Sequence, residues 1–420
     1  MKKILWFSNC IQSDGANKAS GSWLYSMARL LTSMPDIYLI NITKSRSKND
    51  KEIRHVQIKE NFEEYVIPIR PLGKEKTPAA ENKQLLEELC FKCAPDLIHV
   101  WGVENFFSKV VPSFNIDVPK LLEIQGLHDT CAEVLYGSLS PAEIIKCFGA
   151  REILFPFHKS LFSIKKDMRE RGKREYAAIK QYKYIATQSR WIRDRVRSIN
   201  CDAKIFETSM SLRAEFWNSH KWEYPTNGEK NFFCSSAGAI TYKSIQTAIK
   251  ATAEVAKIYP DVKLYIIGNF NDSKWINQPG YLTFIKKLVK ELKLESNVIF
   301  AGPQDANGII GIMHKCLGSI QTSYVESYSL VVAESQSIGL PPIISFAGAM
   351  PELAEDRKTG LFYSPGDYIS CAGRMLEIIE NPSLAKSISE ESFKLAAERN
   401  NDKKVLDVQL KIYNEILKNK

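Results

Sequence analysis

The chain has 420 residues, enough for about two to three domains at roughly 150 residues each. With 44% hydrophobic and 25% charged residues it has an ordinary globular composition, which excludes disordered, collagen-like and coiled-coil classes. The 57 basic against 48 acidic side chains leave a net charge of +9, which suits an anionic partner (nucleotide diphosphate, lipid headgroup or nucleic acid) without selecting one.

Nine dispersed cysteines read as reduced thiols in a cytoplasmic setting. Cys90 and Cys93 form one CxxC, but no second Cys/His pair stands nearby to complete a tetrahedral zinc site. The N-terminal residues 1–8 hold too short an apolar run for a signal peptide, and no uninterrupted apolar stretch approaches the roughly 20 residues that span a bilayer. A cytoplasmic protein is expected, at most peripheral on the inner face of a membrane.

In chain order, strands are expected at 4–7, 37–42, 65–69, 97–101, 120–124 and 182–187. A helix follows the first of them, with Trp23, Met27, Leu30 and Leu31 on one face. Segments of helical character lie between most of the strands. The polar, Pro- and Gly-containing segment 221–230 is the linker candidate. A cleaner rhythm follows, with strands at 231–235, 263–267, 298–301, 318–322, 342–345 and 361–363, and helices at 243–258, 281–292, 305–315, 329–338 and 350–354. Alternating strand and helix implies right-handed crossovers and parallel sheets. Two doubly wound α/β domains are therefore expected, 1–220 and 231–400. The closing segment 401–420 carries an apolar stripe (Val405, Val408, Ile412, Ile416, Leu417) that could dock on either domain. Ligands in such sheets bind beyond the carboxyl ends of the strands.

The strongest constellation is 322–334, which follows a strand and opens a helix. Glu326 falls in the loop and Glu334 two helical turns on, so the two carboxylates could stand ~10 Å apart. Ser329, Leu330 and Val331 supply helix N-terminal N–H groups suited to a phosphate. By pattern alone, these acids read equally as an exposed helical pair.

This segment resembles the E-x7-E motif of the retaining glycosyltransferases of family 4, which have the GT-B fold of two Rossmann-like domains facing a cleft. The resemblance continues through Ser337-Ile338-Gly339-Leu340-Pro341, Gly348-Ala349-Met350-Pro351-Glu352, Lys358-Thr359-Gly360-Leu361-Phe362-Tyr363 and Pro365-Gly366-Asp367. It implies that Glu326 faces the donor sugar, that Glu334 binds the ribose, and that backbone groups at Ser329, Leu330 and Val331 hold sugar or phosphate. The family usually carries Gly-Arg and, a few residues on, Lys-Gly. Here the stretch reads Gly238-Ala239-Ile240-Thr241-Tyr242-Lys243-Ser244, so the arginine is Ala239 and Lys243 remains to neutralise the leaving diphosphate.

In the first domain, the loop with Gly15 and Gly21 resembles the family's acceptor-side loop. His99 reads as a packing histidine within an apolar strand. The next strand leads to Gln125 and His128, either of which could take the place of the family's histidine at the donor sugar. Arg190 follows a strand ending in Ser189 and could face the cleft. The basic run 165–174 reads as a solvated helix face or as a patch for anionic lipid.

The resemblance implies a retaining, metal-independent transferase acting on a nucleotide sugar, with a glycan or lipid-linked acceptor, no further cofactor and no nucleic-acid partner. Cell-surface polysaccharide synthesis is the expected setting. A non-catalytic nucleotide-sugar-binding subunit and a nucleotide-sugar epimerase are the alternatives, the first motivated by Ala239.

Overall fold

The computed structural model describes residues 1–15, 22–47, 49–68, 80–270 and 277–418. The chain divides into two compact units. Unit 1 comprises Met1–His128, Arg171–Arg213 and Asn400–Lys420; unit 2 comprises Asp129–Glu170 and Ala214–Arg399.

Among the described residues, unit 1 is built on eight strands: β1 (Lys2–Ser8), β2 (Ile37–Lys44), β3 (Arg54–Lys59), β4 (Phe62–Ile67), β5 (Leu97–Trp101), β6 (Lys120–Ile124), β7 (Tyr184–Thr187) and β8 (Lys204–Glu207). Their order is β3-β4-β2-β1-β5-β6-β7-β8. All neighbours are parallel except β3, which pairs antiparallel with β4. Successive side chains of β1 point to opposite faces, and both faces are covered. Leu5 and Phe7 pack with Ile40, Val100, Leu122, Phe107 and Ile192. Ile4 and Trp6 pack with Leu39, Leu121, Leu24 and Met27 on the other side.

The last helix, Asp402–Lys418, completes that second face through Val405, Ile412, Tyr413 and Ile416. Trp6 Nε1–H donates to the Tyr413 hydroxyl (3.2 Å), which also pairs with His99 Nδ1 (2.9 Å). The stripe that the sequence left free to dock on either domain is thus spent on unit 1. Burial lowers the His99 pKa, which disfavours a charged ring at its Tyr413 contact.

Unit 2 has six parallel strands among the described residues: β9 (Asn231–Gly238), β10 (Lys263–Asn269), β11 (Val298–Gly302), β12 (Gly318–Gln321), β13 (Pro342–Ser345) and β14 (Leu361–Tyr363), in the order β11-β10-β9-β12-β13-β14. The chain leaves β9 towards β10 and β11, then returns to lay β12 on the other side of β9. The β9/β12 boundary is therefore the topological switch point, where the loops beyond the strands part and leave room for a ligand.

Two expectations about domain limits need correction. Segment 129–170 belongs to unit 2: Leu139, Cys147 and Leu161 are buried in the core of that unit with Phe232, Ile285 and Leu282. Segment 221–230 is no linker at its start. Trp222 is buried and its Nε1–H donates to Cys316 O (2.7 Å), while the Tyr224 hydroxyl donates to Ile379 O (3.1 Å). Aromatic side chains with satisfied polar tips outweigh the polar composition around them.

Candidate active site

Each unit presents its own set of candidate residues. In unit 2, β9 ends at Gly238, whose carbonyl accepts from Ser236 Oγ (2.7 Å) and Ile240 N–H (2.9 Å). Ala239 packs partly buried against the apolar core, so the position of the family's arginine holds no cation. A 3-10 turn, Thr241–Lys243, then closes on Ser244, a non-glycine residue in the left-handed region (φ 53, ψ 42). Ser244 is buried, and its Oγ bonds Ser138 Oγ and Thr247 Oγ1, both at 3.0 Å. Those bonds offset a backbone conformation that costs a side chain roughly 1–2 kcal/mol.

The neighbouring strand β12 feeds the loop that carries Glu326. Two cross-loop bonds tie the segments together: Thr322 Oγ1 donates to Lys243 O (2.5 Å), and Tyr324 N–H to Tyr242 O (2.8 Å). The Lys243 ammonium then donates to Glu326 Oε1 at 2.6 Å. The same oxygen accepts from Gln321 Nε2 (2.7 Å) and Ser323 Oγ (2.8 Å). Both ionic partners are largely covered, at 21% and 11% side-chain exposure, so their attraction is less screened than that of a surface pair.

The backbone under Glu326 is fixed as well. Ala349 N–H donates to Glu326 O (2.8 Å). Gly348 has φ +58, and a Cβ there would overlap Glu326 O and lie 2.7 Å from Glu326 N. The glycine of the Gly348-Ala349 motif therefore lets the loop after β13 lie directly on the Glu326 peptide.

Helix Leu330–Ile338 starts at the N-cap Ser329, whose Oγ accepts from Val332 N–H (3.4 Å). The N–H groups of Leu330 and Val331 precede the first intrahelical bond, from Ala333 N–H to Ser329 O (3.1 Å), and so face out of the helix end. Glu334 lies on this helix and is buried, which removes the reading of an exposed acidic pair.

In unit 1, His128 opens helix His128–Glu133 beyond β6. Its backbone N–H donates to Glu175 Oε2 (2.8 Å) and its Nδ1 bonds Glu175 Oε1. Glu175 is 1% exposed. One buried carboxylate thus fixes both the main chain and the ring of His128. Gln125 lies partly exposed between β6 and that helix, and Arg190 is exposed at the first position of helix Arg190–Ile199, whose N-cap Ser189 accepts from Ile192 N–H (3.3 Å).

Gly15 has φ +81 and donates its N–H to Gln12 O (3.2 Å); Gly21 lies outside the described residues. The loop before Gly15 is held by Glu64, fully buried on β4. Its carboxylate accepts from Gln12 N–H (2.6 Å), Ser13 N–H (3.0 Å), Ser13 Oγ (2.5 Å) and Asn41 Nδ2 (2.8 Å).

Glu64, Glu175, Gln321 and Ser323 are the site residues that sequence reasoning missed. A signal existed for Glu64: one of the two consecutive acids in the strand Phe62–Ile67 must point into the sheet's covered face.

The sucrose-phosphate synthase of Thermosynechococcus elongatus superposes over 100% of both chains with a TM-score of 0.76 at 15% identity. Anabaena HepE in complex with UDP-glucose gives 0.66 at 15% identity, over 99% of each chain. The fold is GT-B, with two doubly wound Rossmann-like units. The family described as glycosyl transferases group 1 matches residues 218–395. Among curated relatives, the N-acetyl-alpha-D-glucosaminyl L-malate synthase of Bacillus anthracis is 24% identical over 198 residues, 47% of this chain and 49% of that protein. The matched stretch spans about half the length of that relative.

Proposed function

We propose that the protein is a retaining, metal-independent glycosyltransferase. It would move a sugar from a nucleotide-sugar donor to a glycan or lipid-linked acceptor, in cell-surface polysaccharide synthesis at the cytoplasmic face of a membrane. The observation that carries the reading is the Lys243–Glu326 contact at the β9/β12 switch point, beside the open end of helix Leu330–Ile338.

In this reading the donor diphosphate lies at the N–H groups of Leu330 and Val331, and Lys243 exchanges its carboxylate partner for a phosphate oxygen. Glu326 positions the donor sugar and Glu334 the ribose. By the family resemblance, Gln125 or His128 takes the role of contacting the donor sugar, Arg190 that of a further cation, and Gly15 and Gly21 belong to the acceptor role. The anomeric C–O bond breaks and its electron pair leaves with the diphosphate. A diphosphate oxygen takes the acceptor's hydroxyl proton, and the new glycosidic bond forms on the same face. Charge grows on the leaving group, so Lys243 and the helix end act mainly in the transition state. The nucleotide sugar is substrate, and no further cofactor is invoked.

A panel of nucleotide sugars tests this by thermal stabilisation and by slow release of free nucleotide. A donor at 100 times its Kd would stabilise the fold by about 2.7 kcal/mol. Release by wild type and not by Glu326→Ala supports the transferase. Ala239 favours one rival, a binding subunit, which predicts stabilisation without release even when acceptors are supplied. Isomerisation of the donor sugar without acceptor would instead mark an epimerase. No response to any donor overturns the reading.

A further inference from the structure

Among the described residues, twelve large apolar side chains are exposed, and six of them fall between 145 and 162: Ile145, Ile153, Leu154, Phe155, Phe157 and Phe162. Single exposed apolar residues are normal on any protein, but this concentration is a patch. Its centre is the run Ile153-Leu154-Phe155-Pro156-Phe157, five consecutive exposed residues with Phe157 at 85%.

The exposure is built and does not come from a loose loop. Immediately before the run, Glu152 is buried and accepts from Gly149 N–H (3.0 Å), Gly280 N–H (3.0 Å) and Arg151 Nε (2.9 Å). Immediately after it, Ser160 Oγ donates to Pro156 O (2.5 Å), and Leu161 is buried in the core of unit 2. Both ends are clamped, so the apolar side chains between them are held outward as a protrusion.

Cations flank the run in sequence. Between 141 and 169 the chain has Lys146, Arg151, Lys159, Lys165, Lys166 and Arg169 against Glu143, Glu152 and Asp167. Two of those acids are already neutralised within the fold, Glu143 by Lys250 (2.8 Å) and Glu152 by Arg151 (2.8 Å), while Lys146 is paired with Glu291 (3.7 Å). Lys146, Lys159, Lys166 and Arg169 are exposed. The Lys165 ammonium sits 4.3 Å from the centre of the Tyr136 ring, which itself meets the Phe162 ring edge-on at 6.0 Å. Aromatic and aliphatic side chains flanked by lysine and arginine match a bilayer interface, where the apolar groups enter the acyl boundary and the cations meet anionic headgroups.

We propose that residues 153–157 form a wedge that inserts into an anionic lipid bilayer, with Lys159 and Lys166 as its flanking cations. The wedge gives a structural form to the membrane contact in the proposed function and rests on that part of it alone. It lies N-terminal to the whole of the basic run 165–174 and draws only Lys166 from it.

The full chain is sedimented with vesicles of phosphatidylcholine and with vesicles carrying roughly a third phosphatidylglycerol, with no donor or acceptor present. Wild type should bind the anionic vesicles and not the neutral ones. Phe155→Ser/Phe157→Ser and Lys159→Glu/Lys166→Glu should each lower the partition coefficient by roughly tenfold or more at an unchanged melting temperature. If the phenylalanine variant fails to fold, the lysine variant carries the test. Absence of wild-type binding, equal binding to both vesicle types, or wild-type binding by a folded variant overturns the proposal. So does a wild-type dimer that Phe155→Ser/Phe157→Ser converts to monomer while vesicle binding persists, because the patch would then belong to a second copy. Nucleotide release is measured separately, so a failure here leaves the transferase reading intact.

Discussion

Lys243 and Glu326 stand 83 residues apart in sequence and 2.6 Å apart in space, joined because β9 and β12 are neighbours in the sheet. The ammonium is held by a carboxylate that also takes bonds from Gln321 and Ser323. In the proposed function, a diphosphate entering the site would compete for a cation that is already positioned, and Glu326 would keep two other donors when Lys243 turns away. Lys243→Ala should therefore cut kcat/KM for nucleotide release by roughly 100-fold or more, the scale of removing one group that stabilises leaving charge. Lys243→Arg should recover part of the loss. A wild-type rate in Lys243→Ala would remove this residue from the mechanism.

Gly348→Ala tests the backbone under Glu326. The added Cβ overlaps Glu326 O at a position with φ +58, so the loop after β13 must move off the Glu326 peptide. The expected outcome is a loss of about 1–3 kcal/mol in stability together with a lower kcat. Both are read from a melting curve and a release assay on the same preparation. Unchanged values in both would mean that the loop has room that the geometry does not show.

Glu175→Ala removes the carboxylate that fixes both the N–H and the Nδ1 of His128. If His128 serves the donor sugar, kcat should fall roughly tenfold or more with a smaller change in KM, since the ring and its peptide lose their orientation. Glu175→Gln keeps an acceptor oxygen for one of the two bonds and should fall in between. Equal loss of thermal stability in the two variants with no loss of kcat would assign Glu175 to structure alone.

His99 gives the unit 1 sheet a pH dependence. Burial lowers its pKa below the ordinary value of 6.5, so the unfolded chain binds a proton more readily than the folded one. Its contribution to stability is complete above the unfolded pKa and is lost as pH falls below it towards the lowered folded value. The groups facing the ring are Trp101, stacked at 3.9 Å, Trp6, the Tyr413 hydroxyl, and Glu123, whose Oε2 is 3.6 Å from Nε2 and pulls weakly the other way. Denaturation at pH 7 and pH 5 should show wild type losing more stability than His99→Gln over that interval. The same loss in both would exclude His99 as the source.

Ser244→Gly places the family's usual residue in the left-handed position. The substitution relieves the strain of φ 53 but removes the bonds to Ser138 and Thr247. The relieved strain, roughly 1–2 kcal/mol, offsets most of the two lost bonds, together about 1–3 kcal/mol, so the net destabilisation should not exceed about 2 kcal/mol. A chemical denaturation midpoint decides it, and a larger shift of either sign identifies the dominant effect.

Much of the scaffold was legible in the residues. The strands expected at 97–101, 120–124, 342–345 and 361–363 coincide with β5, β6, β13 and β14, because short apolar runs bounded by polar turns carry the signal of strands covered on both faces. Strands β3 and β8 went unseen. Arg54-His55-Val56-Gln57-Ile58-Lys59 and Lys204-Ile205-Phe206-Glu207 are edge strands, and edges are protected by the charged residues that hide them from a hydropathy reading. In the candidate site, the resemblance to the family singled out Lys243, Glu326 and Glu334. It could not show that Gln321 and Ser323 share the Glu326 oxygen, or that Glu175 holds His128, since those partners are set by where loops and helices meet.

The sequence by itself determined two doubly wound α/β halves and the segment that carries the E-x7-E motif, because periodicity and motif order are local properties of the chain. The tertiary structure alone decided three things. Segment 129–170 joined the second unit, through Leu139, Cys147, Leu161 and the Glu152–Gly280 bond. The last helix joined the first unit, through Tyr413 and its partners Trp6 and His99. Residues 153–157 were left facing outward while equally apolar runs were buried. An apolar stripe specifies only that it must be covered; which surface covers it, or whether any does, depends on the shape and polar partners presented by segments distant in sequence.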